Sequence, residues 1–583
     1  MDSAHATAQV SDFLARPFDY IVIGGGTAGL VVASRLTTNP NVTVGVLEAG
    51  NASLDDPNVL KLTGMAAMMH NPAYDWMYQS SGNLNRSHHI PKGKVLGGSS
   101  AINFMAYGRP SATDLDNWDT ALGNPGWSWA DLAPYYRKSE RLEADPDHLE
   151  APATDVCPIQ TQFHGINGAI HTSLSPWQAP VETSLLAALD QTSQIPRAQE
   201  PWSGEHLGPH RSLFTVDRTG LPQRSYSANG YLLPALKRPN LKVLTNALAS
   251  RVLFDDDQRA IGVEFVSGEA THQAFVAREV ILSAGTYESP KLLELSGIGD
   301  PDLLRKVGIA CRVAQPEVGQ NLQEKPVSAV VYQLADGCMS VDSLFRDPAL
   351  LQEHLRLLQE EHSGAMSGAI SLMGFMKQRH RTVAHLLDRH AAAIQVVGIP
   401  TNFGIGHAYL DCSKLSPGAP PGGNACYSLM VSSMYPVSRG SSHVQSSDPL
   451  VPPQIDLGFL AHPADADVLA AGVTFADRVF QSEPMRGQVK TRVEPSPDID
   501  LEDRDQARGY VRDRVMSYHH AAGTCALGTV VDERLYVRGV KGLRVVDASV
   551  FPTQVSHAIL STVYAVAEKA ADLIREDYSS WTV

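Results

Sequence analysis

Two short apolar runs, Asp19-Tyr20-Ile21-Val22-Ile23 and Val42-Thr43-Val44-Gly45-Val46-Leu47, flank a stretch in which Leu30 to Leu36 repeats at helical spacing. Runs this short, rich in β-branched residues, predict buried strands around a helix. A third run, Glu279-Val280-Ile281-Leu282-Ser283-Ala284, leads through Gly285 into a second helical stretch. Over 347–361, Leu350, Leu351, Leu355, Leu357 and Leu358 stand among charges, the pattern of an amphipathic helix. Ala391 to Leu410 carries no charge but is interrupted by Gln395, Pro400 and Asn402. It predicts a buried strand and turn rather than a membrane span. Pro400 to Gly423 is rich in turn residues and predicts loops.

At 583 residues the chain exceeds the roughly 100–200 residues of one simple domain. Hydrophobic residues at 43% and charged residues at 19% exclude wholesale disorder. A net charge of −15 disfavours binding to nucleic acid or an anionic membrane through bulk charge. Six cysteines, at 157, 311, 338, 412, 426 and 525, show no CxxC spacing, so neither a disulfide scaffold nor a metal site is expected. Met1 to Asp19 has no apolar leader, and an intracellular, cytoplasmic location is the expectation.

Candidate chemistry begins between the first two runs. Gly24-Gly25-Gly26-Thr27-Ala28-Gly29 is GxGxxG in a strand–turn–helix–strand context, and Glu48 ends the second strand. Gly24 permits the tight turn, Gly26 lets backbone approach a pyrophosphate, and Gly29 allows close helix–strand packing. The helix start at Thr27 and Ala28 offers free N–H groups to phosphates, and Glu48 can accept from a ribose hydroxyl. This motif alone leaves NAD and FAD open. Gly93-Lys94-Val95-Leu96-Gly97-Gly98-Ser99-Ser100-Ala101-Ile102-Asn103 is a second small-residue stretch suited to close backbone approach. Gly285 to Gly299, following the third strand, is another.

With these stretches in order, the chain resembles the glucose–methanol–choline (GMC) oxidoreductases, flavoenzymes that oxidise alcohols. Gly93 to Pro110 and Asp116 fits one family signature and Gly285 to Gly299 a second. Val318 to Gln323, Ser438-Arg439-Gly440 and Val545 to Ser549 match further blocks. The resemblance spans about Phe18 to Ile574 and is greatest to the fungal glucose oxidase-like and aryl-alcohol-oxidase-like branch. It implies an α/β fold: an FAD-binding Rossmann-like domain with a discontinuous α+β substrate-binding domain. The flavin domain would comprise 17–160, 216–325 and 510–583, and the substrate domain 161–215 and 326–509. FAD, rather than NAD, is then the implied cofactor. Gly24, Gly26, Thr27, Ala28, Gly29 and Glu48 would hold its ADP half. Leu96, Gly97, Ser99 and Asn103 would lie along the pyrophosphate and flavin, and Ala249 by the adenine. Asp547 and Ala548 would reach the pyrophosphate–ribityl region, and Val555 the pyrimidine end. Where some members tether FAD through a histidine, this chain has Ile102, which implies non-covalent FAD.

Flavin-dependent alcohol oxidation needs a base for the hydroxyl proton and donors for the developing alkoxide. Tyr518-His519-His520-Ala521-Ala522-Gly523-Thr524 resembles the family's catalytic block, and registration on Gly523-Thr524 selects His520 over His519. The family's second catalytic His or Asn stands six residues before an aromatic. Counting back from Tyr564 gives Ala558, with His557 one place early. His557 reaches the site only if the backbone between Val555 and Ile559 is irregular, because adjacent side chains of a regular element point apart. On that condition His557 is the expected second catalytic residue. Another block is altered to Asn321-Leu322-Gln323-Glu324-Lys325. The expected activity is oxidation of an alcohol on an aromatic or polyketide-like intermediate, with dioxygen as a candidate second substrate. The alternative is a non-redox cyclase or lyase that keeps FAD on the same scaffold.

Overall fold

A computed structural model describes residues 7–82, 84, 86–143, 159–368, 370–377 and 393–579. Cys157 and residues 391–392 of the uncharged run lie outside them. The run Phe18–Ile23 forms a strand buried at nearly every position, as its apolar content requires. It pairs in parallel with Val44–Leu47 on one side and with the end of Ala270–Leu282 on the other. Leu241–Leu244 extends the sheet beyond Val44–Leu47, and Leu543–Val545 pairs with Ala270–Leu282, both in parallel. The exposed half of Ala270–Leu282 turns outward into an antiparallel meander with Ala260–Ser267 and Ala247–Phe254. One long strand thus belongs to the buried parallel core at one end and to a half-solvated ribbon at the other.

The helix Thr27–Leu36 leaves the first strand across Gly24, whose φ of +102° is open to glycine without strain. A Cβ on Gly29 would stand 2.0 Å from the Gly24 carbonyl oxygen, so the helix lies on the strand at a distance only glycine permits. The late helix Leu560–Ser579 packs on Thr27–Leu36, and Glu568 accepts from Arg35 Nε at 2.8 Å and Arg35 Nη2 at 2.7 Å.

A second sheet runs in the order Val489–Glu494, Pro326–Leu334, Cys426–Ser433, Ile394–Ile399, Leu372–Met376, Gly208–Arg211. Alternation along its strands sorts the side chains onto two faces. Val330, Ile394, Val396, Leu429 and Val431 pack beneath the helix Pro463–Gln481. Val327, Met373, Val397, Ile399 and Met430 face the other way. The helix Arg504–Arg514 buries Ala507, Tyr510 and Val511 against the second core, and Met516–Ser517 pairs with Pro326–Val327. The amphipathic pattern over 347–361 forms a helix, Pro348–Glu361, capped by the Asp347 carboxylate on the Ala349 and Leu350 N–H groups. The five described cysteines are free. Among the described residues no helix is long and apolar enough to cross a membrane.

Candidate active site

One cavity of about 700 Å³ separates the two sheets. At its first end lie Gly24, Gly26, Thr27 and Ala28. The start of the helix Thr27–Leu36 has no side-chain cap, so its first N–H groups face the space. Gly98 closes the same corner: a Cβ there would lie 2.8 Å from Gly26 Cα. Glu48 is buried and accepts from the Gly25 and Gly50 N–H groups, at 2.9 and 2.8 Å. Burial pushes its carboxyl up to about 7, against the pull of those two hydrogen bonds. Ala249, Ser99, Asn103, Asp547 and Ala548 complete this part of the wall. Asp547 accepts from Gly285 N–H, Ser289 hydroxyl and Ser549 N–H, which fixes the turn between the third strand and its helix.

These features suit a dinucleotide. Uncapped helix N–H groups and a glycine-lined corner match a diphosphate, and a buried carboxylate beside them matches a ribose. Four residues expected at the cofactor stand behind the wall instead. Gly29 packs the helix on the strand. Leu96 is buried beneath Gly25, and Gly97 donates its N–H to the Gly25 carbonyl at 2.8 Å. Val555 is fully buried in the first core. All four shape the cradle without lining it. Ile102 does line the cavity.

His520 lies where the two halves meet and is part of the wall. Its N–H donates to Glu324 Oε1 at 2.9 Å, and its carbonyl accepts from Gln554 Nε2 at 2.8 Å. The Tyr518 ring is 4.2 Å from the imidazole, and Tyr518 itself is held by Gln395 through a 2.9 Å hydrogen bond. Burial first, then the positive charges of Lys325 and Lys92 and the neighbouring His519 and His557, hold the His520 imidazole well below its ordinary pKa. It is neutral at neutral pH, with a buried Nδ1 that has no acceptor or donor among the described residues. His519 also lines the cavity, at a φ of +64°, but its Nε2 is 3.7 Å from Cys412 Sγ and its carbonyl accepts from Lys92.

The backbone at His557 is irregular, with a φ of +67°, and yet the imidazole turns away from the cavity. Its Nδ1 accepts from the Ala558 N–H at 2.7 Å, and the ring packs 5.3 Å from the Phe375 ring. A Cβ on Gly108 would fall 1.9 Å from Nε2, so the glycine makes the space. Lys325 donates to the His557 carbonyl, and Asp114 accepts from the Ser556 N–H and hydroxyl. These clamps present Ala558, rather than His557, to the cavity. Lys325, fully buried, has its amine pushed down to about 7 by desolvation. Lys92, which also lines the cavity, gave no motif signal beyond its place before Gly93.

The remaining wall comes from the second sheet. Met373, Val397 and Met430 are cross-strand partners in one row and face the cavity, joined by Phe403, Phe104 and Phe214. A Rossmann-like cradle, a buried histidine and an apolar chamber are the parts of a dinucleotide-dependent oxidoreductase. The GMC oxidoreductase model matches residues 18–327 through its N-terminal domain and 436–567 through its C-terminal domain. The chain belongs to the GMC oxidoreductase family and is an FAD-dependent enzyme acting on CH–OH groups. It is 50% identical over 616 residues to dehydrogenase mpl7 of Monascus purpureus, covering 98% of each chain. A solved formate oxidase superposes with a TM-score of 0.84 at 28% identity, over 97% of this chain and 99% of the other. A fungal aryl-alcohol oxidase does so with 0.81 at 25% identity, over 97% and 99%.

Proposed function

We propose that this enzyme oxidises a hydroxymethyl or secondary hydroxyl group of an aromatic or polyketide-like molecule. The observation that carries this is the row of Met373, Val397 and Met430 with Phe403 facing the wall that holds His520. A polyhydroxylated alcohol would leave its hydroxyl groups unpaired on such a surface. Similarity to a Monascus dehydrogenase and a fungal aryl-alcohol oxidase supports the same reading.

FAD, when bound, supplies the hydride acceptor. The chain supplies the rest. Gly24, Gly26, Thr27, Ala28, Gly98, Glu48 and Asp547 would hold the cofactor, without a covalent bond, because Ile102 has no nucleophilic atom. His520, neutral and pinned by Glu324 and Gln554, takes the hydroxyl proton. Ala558 adds no donor, so the developing alkoxide is not shared with a second imidazole at that position. The apolar chamber excludes water and orients the carbinol toward His520.

The test is anaerobic reduction of the bound flavin by a panel of aryl alcohols, with glucose and choline alongside. Bleaching by aryl alcohols and not by the other two is expected. Bleaching by glucose or choline alone would overturn the reading. Acid precipitation should release the yellow colour to the supernatant, and a yellow pellet would refute the non-covalent assignment.

A further inference from the structure

Most charged side chains of the cavity wall are already satisfied. Glu48 and Asp547 accept backbone and hydroxyl donors, Glu288 pairs with Lys291 and Tyr78, and Lys92 donates to the His519 carbonyl. Arg218 differs. It lines the cavity beside Phe214, Val216, Met366 and Ile370, partly buried, in a stretch of wall that is otherwise apolar. Nε donates to Ser173 Oγ at 3.0 Å and Nη2 to the Ser367 carbonyl at 2.9 Å, both neutral acceptors. Nη1 is buried and has no acceptor among the described residues. Glu143 is close and its charge favours the guanidinium, but its carboxylate oxygens accept from the Arg218 backbone N–H at 2.7 Å and bond His171, and no hydrogen bond from the guanidinium reaches them among the described residues.

A guanidinium has five N–H donors and cannot shed its charge. Holding one in an apolar wall on two neutral acceptors is costly unless an anion completes it. Its planar fork offers paired N–H donors that match the two oxygens of a carboxylate. The position is fixed from outside: Ser173 and Ser367 hold the side chain from two separate segments.

We propose that Arg218 is a specificity-determining residue that recognises a carboxylate on the alcohol substrate, across an apolar body from the reacting hydroxyl. The inference rests on the reading of this cavity as the site of alcohol oxidation. It adds the substrate class: a hydroxy acid with an aromatic or polyketide-like core.

The test compares 6-(hydroxymethyl)-2-naphthoate with its methyl ester, which keeps the carbonyl and loses the charge, on the FAD-loaded enzyme. Wild type should favour the acid in kcat/KM. Arg218→Met should lose about 10- to 100-fold on the acid, mostly in KM, the range expected for a hydrogen bond to a charged group. Its kinetics on the ester should change by less than about threefold. Arg218→Lys, which retains charge and guards against misfolding of the first variant, should recover part of the preference. Calorimetric binding of 2-naphthoate, which has no alcohol to oxidise, should be lost in Arg218→Met. An unchanged acid-to-ester ratio in both variants, or naphthoate binding unaffected by the substitution, would overturn the inference. If neither alcohol reduces the flavin, the proposed function fails for this class while calorimetry still decides the role of Arg218.

Discussion

Two walls enclose the same cavity by opposite means. The cradle of Gly24, Gly26 and Gly98 uses backbone, with side chains removed so that main-chain N–H groups can come close. The row of Met373, Val397 and Met430 uses side chains, projected from one face of three neighbouring antiparallel strands. At Gly24 and Gly98 the backbone cradle tolerates almost nothing, because a single methyl group would stand 2.4 Å from the Ser283 carbonyl oxygen or 2.8 Å from Gly26 Cα. A side-chain wall tolerates substitution, because neighbours can repack. The cofactor end is therefore rigidly specified and the substrate end adjustable.

The largest effect should come from breaking the cradle. Gly29→Ala places a methyl group 2.0 Å from the Gly24 carbonyl, and the variant should retain little or no flavin. Flavin absorbance per protein after purification measures this, and near-stoichiometric FAD would contradict the rigid-cradle account. Next comes the junction. His520→Ala should keep FAD and lose about 10²- to 10⁴-fold in turnover, the usual cost of one positioned general base. His519→Ala should lose much less, and His557→Ala, behind the wall, less than about tenfold. Equal losses for the three would mean that no single histidine takes the proton.

A subtler effect concerns pH. Only neutral His520 accepts a proton, and its burial and cationic neighbours favour that form. The acid limb of kcat/KM should therefore lie below the ordinary histidine value of about 6.5. The groups facing it are Lys325, Lys92, His519 and His557, with Glu324 as the nearby carboxyl and Tyr518 against the ring. Lys325→Met removes a charge that opposes protonation, so the limb should move to higher pH. A shift to lower pH would reverse the assigned sign. The smallest effect is expected in the adjustable wall: Met430→Leu, nearly volume-conserving, should cost less than about 1.5 kcal/mol in stability and change KM without releasing FAD.

This asymmetry also decides what can be read without coordinates. The strands Phe18–Ile23 and Val44–Leu47, the helix between them and the glycines at 24, 26 and 29 are local: turn geometry and periodicity demand those residues at those places. His520 is legible through its fixed spacing to Gly523-Thr524. The direction of the His557 ring is not. It depends on Gly108, which creates its space, and on Lys325, which holds its carbonyl, both far away in the chain. The backbone at His557 is irregular, and the ring packs against Phe375 while Ala558 lines the cavity. Leu96, Gly97 and Val555 fall in family blocks, yet they buttress the cradle from behind, a distinction that needs burial. Arg218 belongs to no motif, and its significance comes from what surrounds it in space.

The order in which the cavity is written along the chain has a consequence for synthesis. The first strand and its glycine turn leave the ribosome early, but the strand Leu543–Val545, the Asp547 turn, His520 and the helix against Thr27–Leu36 come near the other end. Until those late segments emerge, the parallel sheet lacks a member, Arg35 lacks Glu568, and no flavin site exists to be filled. Contacts this distant in sequence form slowly, because loop closure must precede them. Cofactor capture is therefore an end-of-translation event. A chain truncated before His520 would leave an apolar cleft with neither partner nor flavin, a substrate for quality control rather than a partly active enzyme.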